Sequence, residues 1–264
     1  MADTQAGAVK RAVVTGASSG IGAAAVRALR ASGWDVLGVA RRAERLEALA
    51  QETGAAVFAA DLTSQADVDA LAAHVAATGG LHALVHVAGG ARGTDRVEDG
   101  DPDDWTWMYE VNVLSGQRLV RALLPQLREA IRSGASHADT LFVTSTASQV
   151  AYPGGGGYNA AKAGEAMLVH ALRQELNGEP VRVIEIAPGM VHTEEFTLNR
   201  VGDAAAADAL YEGVDGPLLA EDVADVIAYA LNAPRHVNLD LVTMRPVAQS
   251  AQHLLARGPL KPRD

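Results

Sequence analysis

The chain has no cysteine. That excludes disulfides, thiol catalysis and cysteine-ligated metal, and no metal site is expected. Lysine is nearly missing. Of 22 basic residues only Lys10, Lys162 and Lys261 are lysines, so a lone mid-chain lysine among arginines raises the question of why arginine would not serve there. Positive charge is short overall. The net charge is −10 and the basic residues come singly or in pairs, which argues against a nucleic-acid groove or a surface for anionic membranes. There is no run of about 18 apolar residues, so no membrane span is expected. Met1-Ala2-Asp3-Thr4-Gln5 carries an acid and no apolar core, which predicts no secretory signal and a cytoplasmic protein. Linkers and internal repeats are missing too, so residues 1–264 read as one domain.

What the chain has is alternation. Apolar, strand-like runs at Arg11–Thr15, Asp35–Ala40, Ala55–Ala60, Leu81–Val87, Thr140–Ser145, Val181–Ala187 and Leu239–Met244 are separated by helical patterns. The helices are expected at Ile21–Ala31, Ala43–Thr53, Ser64–Thr78, Asp103–Ser133, Tyr158–Asn177 and Ala220–Asn232, with Gly54 stopping the second and Asp101-Pro102-Asp103-Asp104 opening the fourth. Repeated β-α units with apolar strands predict an α/β fold, a parallel sheet covered by helices on both faces. Residues 193–213 and the tail 246–264 fit the alternation poorly. The first reads as a helical lid over a substrate, the second as a segment available to a neighbouring subunit.

Thr15-Gly16-Ala17-Ser18-Ser19-Gly20-Ile21-Gly22 joins the first strand to the first helix. Glycines there let the backbone approach a pyrophosphate, and the helix start supplies N–H groups. The second strand ends Val39-Ala40-Arg41-Arg42, with no acid to take the ribose hydroxyls of NAD. A guanidinium pair suits the 2′-phosphate of NADP(H) through charge-assisted contacts, or it is a solvated start to the next helix. Asp61, followed by Leu62, meets the adenine edge or shares a helix cap with Ser64. Pro188-Gly189-Met190-Val191-His192-Thr193 follows a later strand, where loops form the binding crevice, and Val191 and Thr193 can grip a nicotinamide carboxamide.

Tyr158 and Lys162 stand at i and i+4 on one helical face. A free phenol has a pKa of about 10 and is a poor base, and a nearby ammonium is expected to lower it. Tyr158 then exchanges a proton with an alcohol or carbonyl oxygen. Ser145, at a strand end, can hold that oxygen. Asn112 sits in the middle of a helix, where asparagine is unfavourable, so it either bends the helix, holds water or is a buried structural residue.

In this combination and order, over about residues 10–247, the chain resembles the short-chain dehydrogenase/reductase superfamily. The resemblance implies a single-domain, Rossmann-like doubly wound fold with a seven-stranded parallel sheet. It implies a catalytic set of Asn112, Ser145, Tyr158 and Lys162, with Lys162 also holding the nicotinamide ribose. It implies a cofactor site of Gly16, Ser18, Ser19, Gly20, Ile21, Arg41, Arg42, Asp61, Leu62, Ala88, Gly89, Pro188, Gly189, Val191 and Thr193 together with Tyr158 and Lys162. Arg41 after Ala40 looks like the NADP-preferring branch, although Ser18 or Ser19 stands where some NADP enzymes carry a basic residue. His86-Val87-Ala88-Gly89 replaces the usual Asn-Asn-Ala-Gly. Homotetramers or dimers are implied, packed through 103–133 and 158–177, and Ala166, Met167, Val169, His170 and Leu172 offer apolar surface for such contact.

Stretches 185–196 and 233–250 are similar to bacterial serine 3-dehydrogenase and 3-hydroxy acid dehydrogenase types, and to clavulanic-acid dehydrogenase. Expected chemistry is therefore NADP(H)-dependent interconversion of a small carbonyl compound and its alcohol. Two alternatives stand beside it: a ketoreductase or aldehyde reductase of secondary metabolism, and a non-catalytic module that senses NADP(H). Gly154–Gly157 are expected to leave the mouth open, beside Gln149, Tyr152, His192 and Phe196. Glu194 and Glu195 would repel anions unless they point outward. Arg92 pairs with a substrate carboxylate or is solvated.

Overall fold

Residues 9–262 are described by the structure, a computed structural model. The N-terminal residues read for a secretory signal, and the last two of the tail, lie outside that range. Beyond β1 (Arg11–Thr15) the chain runs through α1 (Gly20–Ala31), β2 (Asp35–Ala40), α2 (Ala43–Thr53), β3 (Ala56–Ala59), α3 (Gln65–Ala77) and β4 (Ala83–His86). Then come α4 (Pro102–Tyr109), α5 (Ser115–Arg132), β5 (Ala138–Val143), α6 (Gly156–Glu175) and β6 (Val181–Pro188). The stretch after β6, which includes the expected lid 193–213, contributes β7 (Val191–His192), α7 (Phe196–Val201), α8 (Ala204–Tyr211) and β8 (Leu218–Leu219). Next are α9 (Ala220–Asn232), β9 (Val242–Met244) and a hairpin of β10 (Gln249–Ala251) and β11 (Leu254–Leu255).

Seven strands form one sheet in the order β3-β2-β1-β4-β5-β6-β9. Every neighbouring pair is parallel. Successive side chains of a strand face opposite ways, and the core divides accordingly. Ala12 and Val14 of β1 pack with α1 and α9 on one face, while Val13 packs with α3 and α5 on the other. On α5, Leu119, Leu123 and Leu127 repeat every four residues and are fully buried. A helix places such residues on one stripe, and truncating any one to alanine costs about 2–5 kcal/mol. The strand order reverses between β1 and β4, which opens a crevice at their C-terminal ends.

Three expectations change. The helix read over 103–133 is α4 and α5 joined by a π-helical turn, Glu110–Leu114, built around Asn112. Ala166, Val169 and Leu172 are buried within the chain, so of the α6 stretch read as spare apolar surface only Met167 is largely exposed. The tail folds on its own chain: Gln249 is buried at Gly189 and Met190, Gly258 N donates to Gly213 O at 2.7 Å and Leu260 N to Asp215 at 3.0 Å.

Candidate active site

The crevice begins at the glycine turn. Gly16 has φ +69°, and a Cβ there would lie 3.0 Å from the Ala88 nitrogen. A Cβ on Gly22 would lie 2.2 Å from the Gly16 carbonyl oxygen. No side chain fits at either position, so β1, α1 and the β4 end converge around a bare backbone. This suits a dinucleotide, whose pyrophosphate needs close N–H groups. Gly20 faces Thr193, whose Cγ2 would be 3.3 Å from an added Cβ. The lid root therefore packs on the start of α1, beside Ile21.

His86 braces this corner. Thr15 Oγ1 accepts from the Val87 and Ala88 N–H groups at 3.1 Å each, so its hydroxyl donates to His86 Nδ1 at 2.9 Å. That fixes the proton on Nε2, which reaches Ser115 Oγ at 3.3 Å, and Ser115 donates onward to Val111 O at 2.7 Å. Burial first, and Lys162 second, push the imidazole down to about 3, so it stays neutral. One histidine thus ties β1, β4 and the π turn together, and His86-Val87 stands where Asn-Asn is usual in the family the chain resembles.

Asn112 is fully buried and fully bonded. Its Nδ2 donates to Met108 O at 2.7 Å and Gly90 O at 2.8 Å, and its Oδ1 accepts from Gly90 N at 3.1 Å. The side chain takes the Met108 carbonyl that a regular helix would give to a backbone N–H, which accounts for the π turn. A Cβ on Gly89 would sit 2.6 Å from Asn112 Oδ1 and 3.4 Å from Lys162 Nζ, so Ala88 and Gly89 leave the Lys162 side of the crevice open.

Ser145 lies two residues beyond β5 and opens a 3₁₀ turn, Thr146–Ser148; its Oγ accepts from Ala147 N at 3.1 Å and reaches Pro188 O at 3.5 Å. Asn159 holds that turn against α6 by donating to Ala147 O at 2.7 Å. Tyr158 is buried, with Phe196 5.5 Å away between ring centroids. Lys162 Nζ donates to Val143 O at 3.2 Å and to Glu165 at 2.6 Å. The expected drop in the Tyr158 pKa is overturned. Burial raises it, and the Lys162 charge and the Ser145 hydroxyl pull it back only in part.

At the other end, Arg42 is the residue that meets the turn. Its guanidinium donates to Ser18 Oγ at 2.8 Å and Ser19 Oγ at 3.1 Å, and pairs with Glu195 at 2.6 Å. Arg45 reaches the same Glu195 oxygen at 2.5 Å, and Ser19 donates to the other at 3.0 Å. Arg42, against some burial, and then Ser19 and Arg45 hold the Glu195 carboxyl below its ordinary range. Arg41 is exposed. It lies near enough to Asp61 to help lower that carboxyl, after burial opposes and the Thr63 backbone and hydroxyl assist. Asp61 bonds Thr63 rather than capping α3; Ser64 is the cap, and Leu62 is core.

Gln249 Oε1 accepts from Met190 N at 2.9 Å and lies 2.3 Å from where a Gly189 Cβ would be, so the loop after Pro188 is shaped by the tail. Val191 O accepts from Tyr211 at 3.0 Å, and the exposed His192 ring lies tilted by 43° against Tyr211, 4.3 Å between centroids. The four glycines do not leave an open mouth. Added Cβ atoms at 154–157 would meet Thr94 O at 2.6 Å, Tyr152 Cε2 at 2.4 Å, Val97 Cγ2 at 2.8 Å and Met108 Cε at 2.5 Å. Gly154, Gly156 and Gly157 admit close packing of the 94–108 segment, and Gly155 that of Tyr152 and Asn159. Gln149 is exposed and bonds Thr243. Arg92 lies over Trp107 at 4.0 Å and pairs with Asp104.

Two residues escaped the sequence reading. Arg200, from α7, donates to Tyr152 Oη at 2.9 Å and Gly154 O at 3.0 Å and lies 5.7 Å from the Tyr158 ring centroid, with no acidic partner among the described residues. Only the fold brings it to Tyr158. Glu165 had a local signal, an acid one turn past Lys162 on a buried face.

No helix among the described residues is long and apolar enough to cross a membrane. The chain is 47% identical over 259 residues, 98% of it and 100% of the relative, to an uncharacterised oxidoreductase of Mycobacterium tuberculosis. It is 38% identical over 242 residues, 90% of it and 94% of the relative, to serine 3-dehydrogenase of Agrobacterium fabrum. The closed form of a serine dehydrogenase complexed with NADP+ superposes with a TM-score of 0.86 at 32% identity, covering 94% of this chain and 99% of that one. The short chain dehydrogenase model matches residues 10–201. With the sheet order and crevice above, the match means that this oxidoreductase belongs to the short-chain dehydrogenase/reductase family, which acts on CH–OH groups with a nicotinamide cofactor.

Proposed function

We propose that the protein is an NADP(H)-dependent oxidoreductase for small polar carbonyl compounds and their alcohols, 3-hydroxy acids and β-hydroxy amino acids first among them. The observation that supports this most is the grouping of Ser145, Tyr158 and Lys162 beyond the C-terminal end of β5, with Lys162 Nζ toward Gly89 after β4 and Ser145 Oγ at Pro188, the end of β6. Bound there, the cofactor supplies or accepts the hydride. Gly16, Gly20, Ile21, Ala88 and Gly89 provide its backbone cradle, and Pro188, Gly189, Val191 and Thr193 its nicotinamide end. Asp61 and Leu62 shape the adenine end. Arg42, with Ser18, Ser19 and Arg41, meets the 2′-phosphate.

Tyr158 Oη exchanges the proton with the substrate oxygen, which Ser145 holds. Lys162 charges that corner and Asn112 keeps the π turn against Gly90. Arg200 gives the pocket a cation beside Tyr158, fitted to a substrate carboxylate. Glu195 points away into Arg42 and Arg45, so it does not repel such a group. The relatives' names, serine 3-dehydrogenase and a serine dehydrogenase with NADP+, agree with this substrate class and cofactor.

Absorbance of NADPH and NADH tests the reading, with malonic semialdehyde in one direction and serine or 3-hydroxypropionate in the other. Turnover with these and a preference for NADPH is expected. Activity confined to bulky hydrophobic ketones moves the enzyme to secondary-metabolite ketoreduction, and none with any carbonyl leaves an NADP(H)-sensing module.

We take residues 1–264 as one cytoplasmic catalytic domain that forms a homotetramer or dimer. Met167 is exposed on α6, and Tyr109, exposed on α4, lines a cavity of about 320 Å³ with Trp105, Ala160 and Ala161. A monomer by light scattering at micromolar concentration contradicts the oligomer.

A further inference from the structure

The helix that presents Tyr158 and Lys162 carries another buried ionisable group, which the chemistry above does not use. Glu165 is 1% exposed. Its Oε2 accepts from Lys162 Nζ at 2.6 Å, and its Oε1 has no hydrogen-bond partner among the described residues. Lys162 has three N–H bonds. Val143 O takes one and Glu165 another, which leaves one toward Gly89 and the cofactor crevice.

The ionisable groups around this pair are few. On β6, Glu185 is also 1% exposed; it accepts from Thr144 Oγ1 at 2.7 Å and meets His170 Nε2 at 3.0 Å. His170, on α6, is half-exposed. Neutral His86 faces Lys162 from β4, and from the lid Arg200 lies over Tyr158.

We propose that Glu165 is a positioning residue of the reaction, which sets through Lys162 the pH at which Tyr158 exchanges its proton. The inference rests on the function proposed above. Its basis is the sharing of one ammonium. When Glu165 is ionised it offsets Lys162, and Tyr158 holds its proton more tightly. When Glu165 is neutral, the whole field of Lys162 falls on the phenol. Burial raises the Glu165 carboxyl to about 7 against the pull of Lys162, with Glu185 adding to the rise, so the switch lies near neutrality. The charge of Glu165 raises both Tyr158 and Lys162.

Tyrosinate absorbance of the cofactor-free protein tests this without turnover. The difference between wild type and Tyr158→Phe isolates Tyr158. In Glu165→Gln, its titration should move to lower pH. In kinetics, the wild-type profile of kcat/KM should bend near pH 7, a bend absent from Glu165→Gln, kept by Glu165→Asp and kept by His170→Gln. An unmoved Tyr158 titration in Glu165→Gln overturns the proposal. If that variant does not fold, a wild-type profile without the bend, or a bend lost in His170→Gln, overturns it instead. If no carbonyl compound is turned over, the proposed function fails, while the tyrosinate titration still decides the role of Glu165.

Discussion

The two ends of the crevice are held by different physics. At the reaction end, Asn112, His86, Ser145 and Lys162 are buried, and their bonds are to backbone or to other buried side chains, Thr15, Ser115 and Glu165. At the adenosine end, Arg42, Arg45 and Glu195 form ion pairs in which the arginine side chains are 43% and 47% exposed. Buried bonds are expensive to break because their partners are left unsatisfied, whereas exposed ion pairs are worth roughly 0–1 kcal/mol and weaken with salt. The chain fixes the reaction end and leaves adjustable the contact of Glu195 with Arg42, Arg45 and the glycine turn.

The largest expected effect sits at the rigid end. Tyr158→Phe should lower turnover about 10²–10⁴-fold, the usual worth of general acid-base catalysis, while NADPH fluorescence titration shows binding retained. A near-normal rate would remove the chemistry from this end altogether. Asn112→Ala removes three buried hydrogen bonds and should destabilise the fold by about 3 kcal/mol in urea denaturation. A loss under about 1 kcal/mol would mean that the π turn does not depend on it.

Acid sharpens the contrast. The folded His86 imidazole titrates at about 3 against 6.5 for a free one. Between those values the unfolded chain takes up a proton that the folded chain refuses. Stability is therefore complete above pH 6.5 and falls as the pH drops toward 3, by roughly 1.4 kcal/mol per unit from this group. Denaturation across that window should show a shallower slope for His86→Asn. An identical slope would place the acid sensitivity elsewhere, for instance at His137, which burial and Arg182 push down to about 4.

The exposed end should answer weakly. Arg42→Ala should weaken NADPH about tenfold, near 1.4 kcal/mol, and leave NADH almost unchanged, with Arg41→Ala smaller. Equal weakening of both cofactors would make Arg42 structural. Glu195→Gln should change NADPH affinity by less than about threefold, and the change should shrink in high salt.

What the sequence made legible follows the same division. The Gly16–Gly22 turn and the Tyr158–Lys162 spacing are local patterns whose chemistry needs those residue types at those separations. Asn112 announced itself by being a poor helix residue, and the π turn is its answer. The adenosine end was half legible: an arginine pair after β2 was visible, but Glu195, 153 residues from Arg42, meets it only through the fold. Gly154–Gly157 misled for a similar reason: Trp105 and Met108 reach Gly156 and Gly157 from another helix, and the Thr94 backbone and Tyr152 fill the space at Gly154 and Gly155. The Tyr158 pKa was misjudged because an i, i+4 spacing reveals the ammonium and not the depth of burial.

Gln249 bears on the order in which the protein comes into being. The loop after Pro188 is braced at Met190 by a side chain that follows it by 59 residues, after α7, α8, α9 and β9. During synthesis the strands β1 to β5 and the catalytic helix emerge first and can assemble, because they are neighbours in the sheet or pack on it. Met190 must wait for its acceptor. A nascent chain thus carries Tyr158 and Lys162 before the loop after Pro188 is braced, and the cofactor seat proposed above is complete only once Gln249 has emerged.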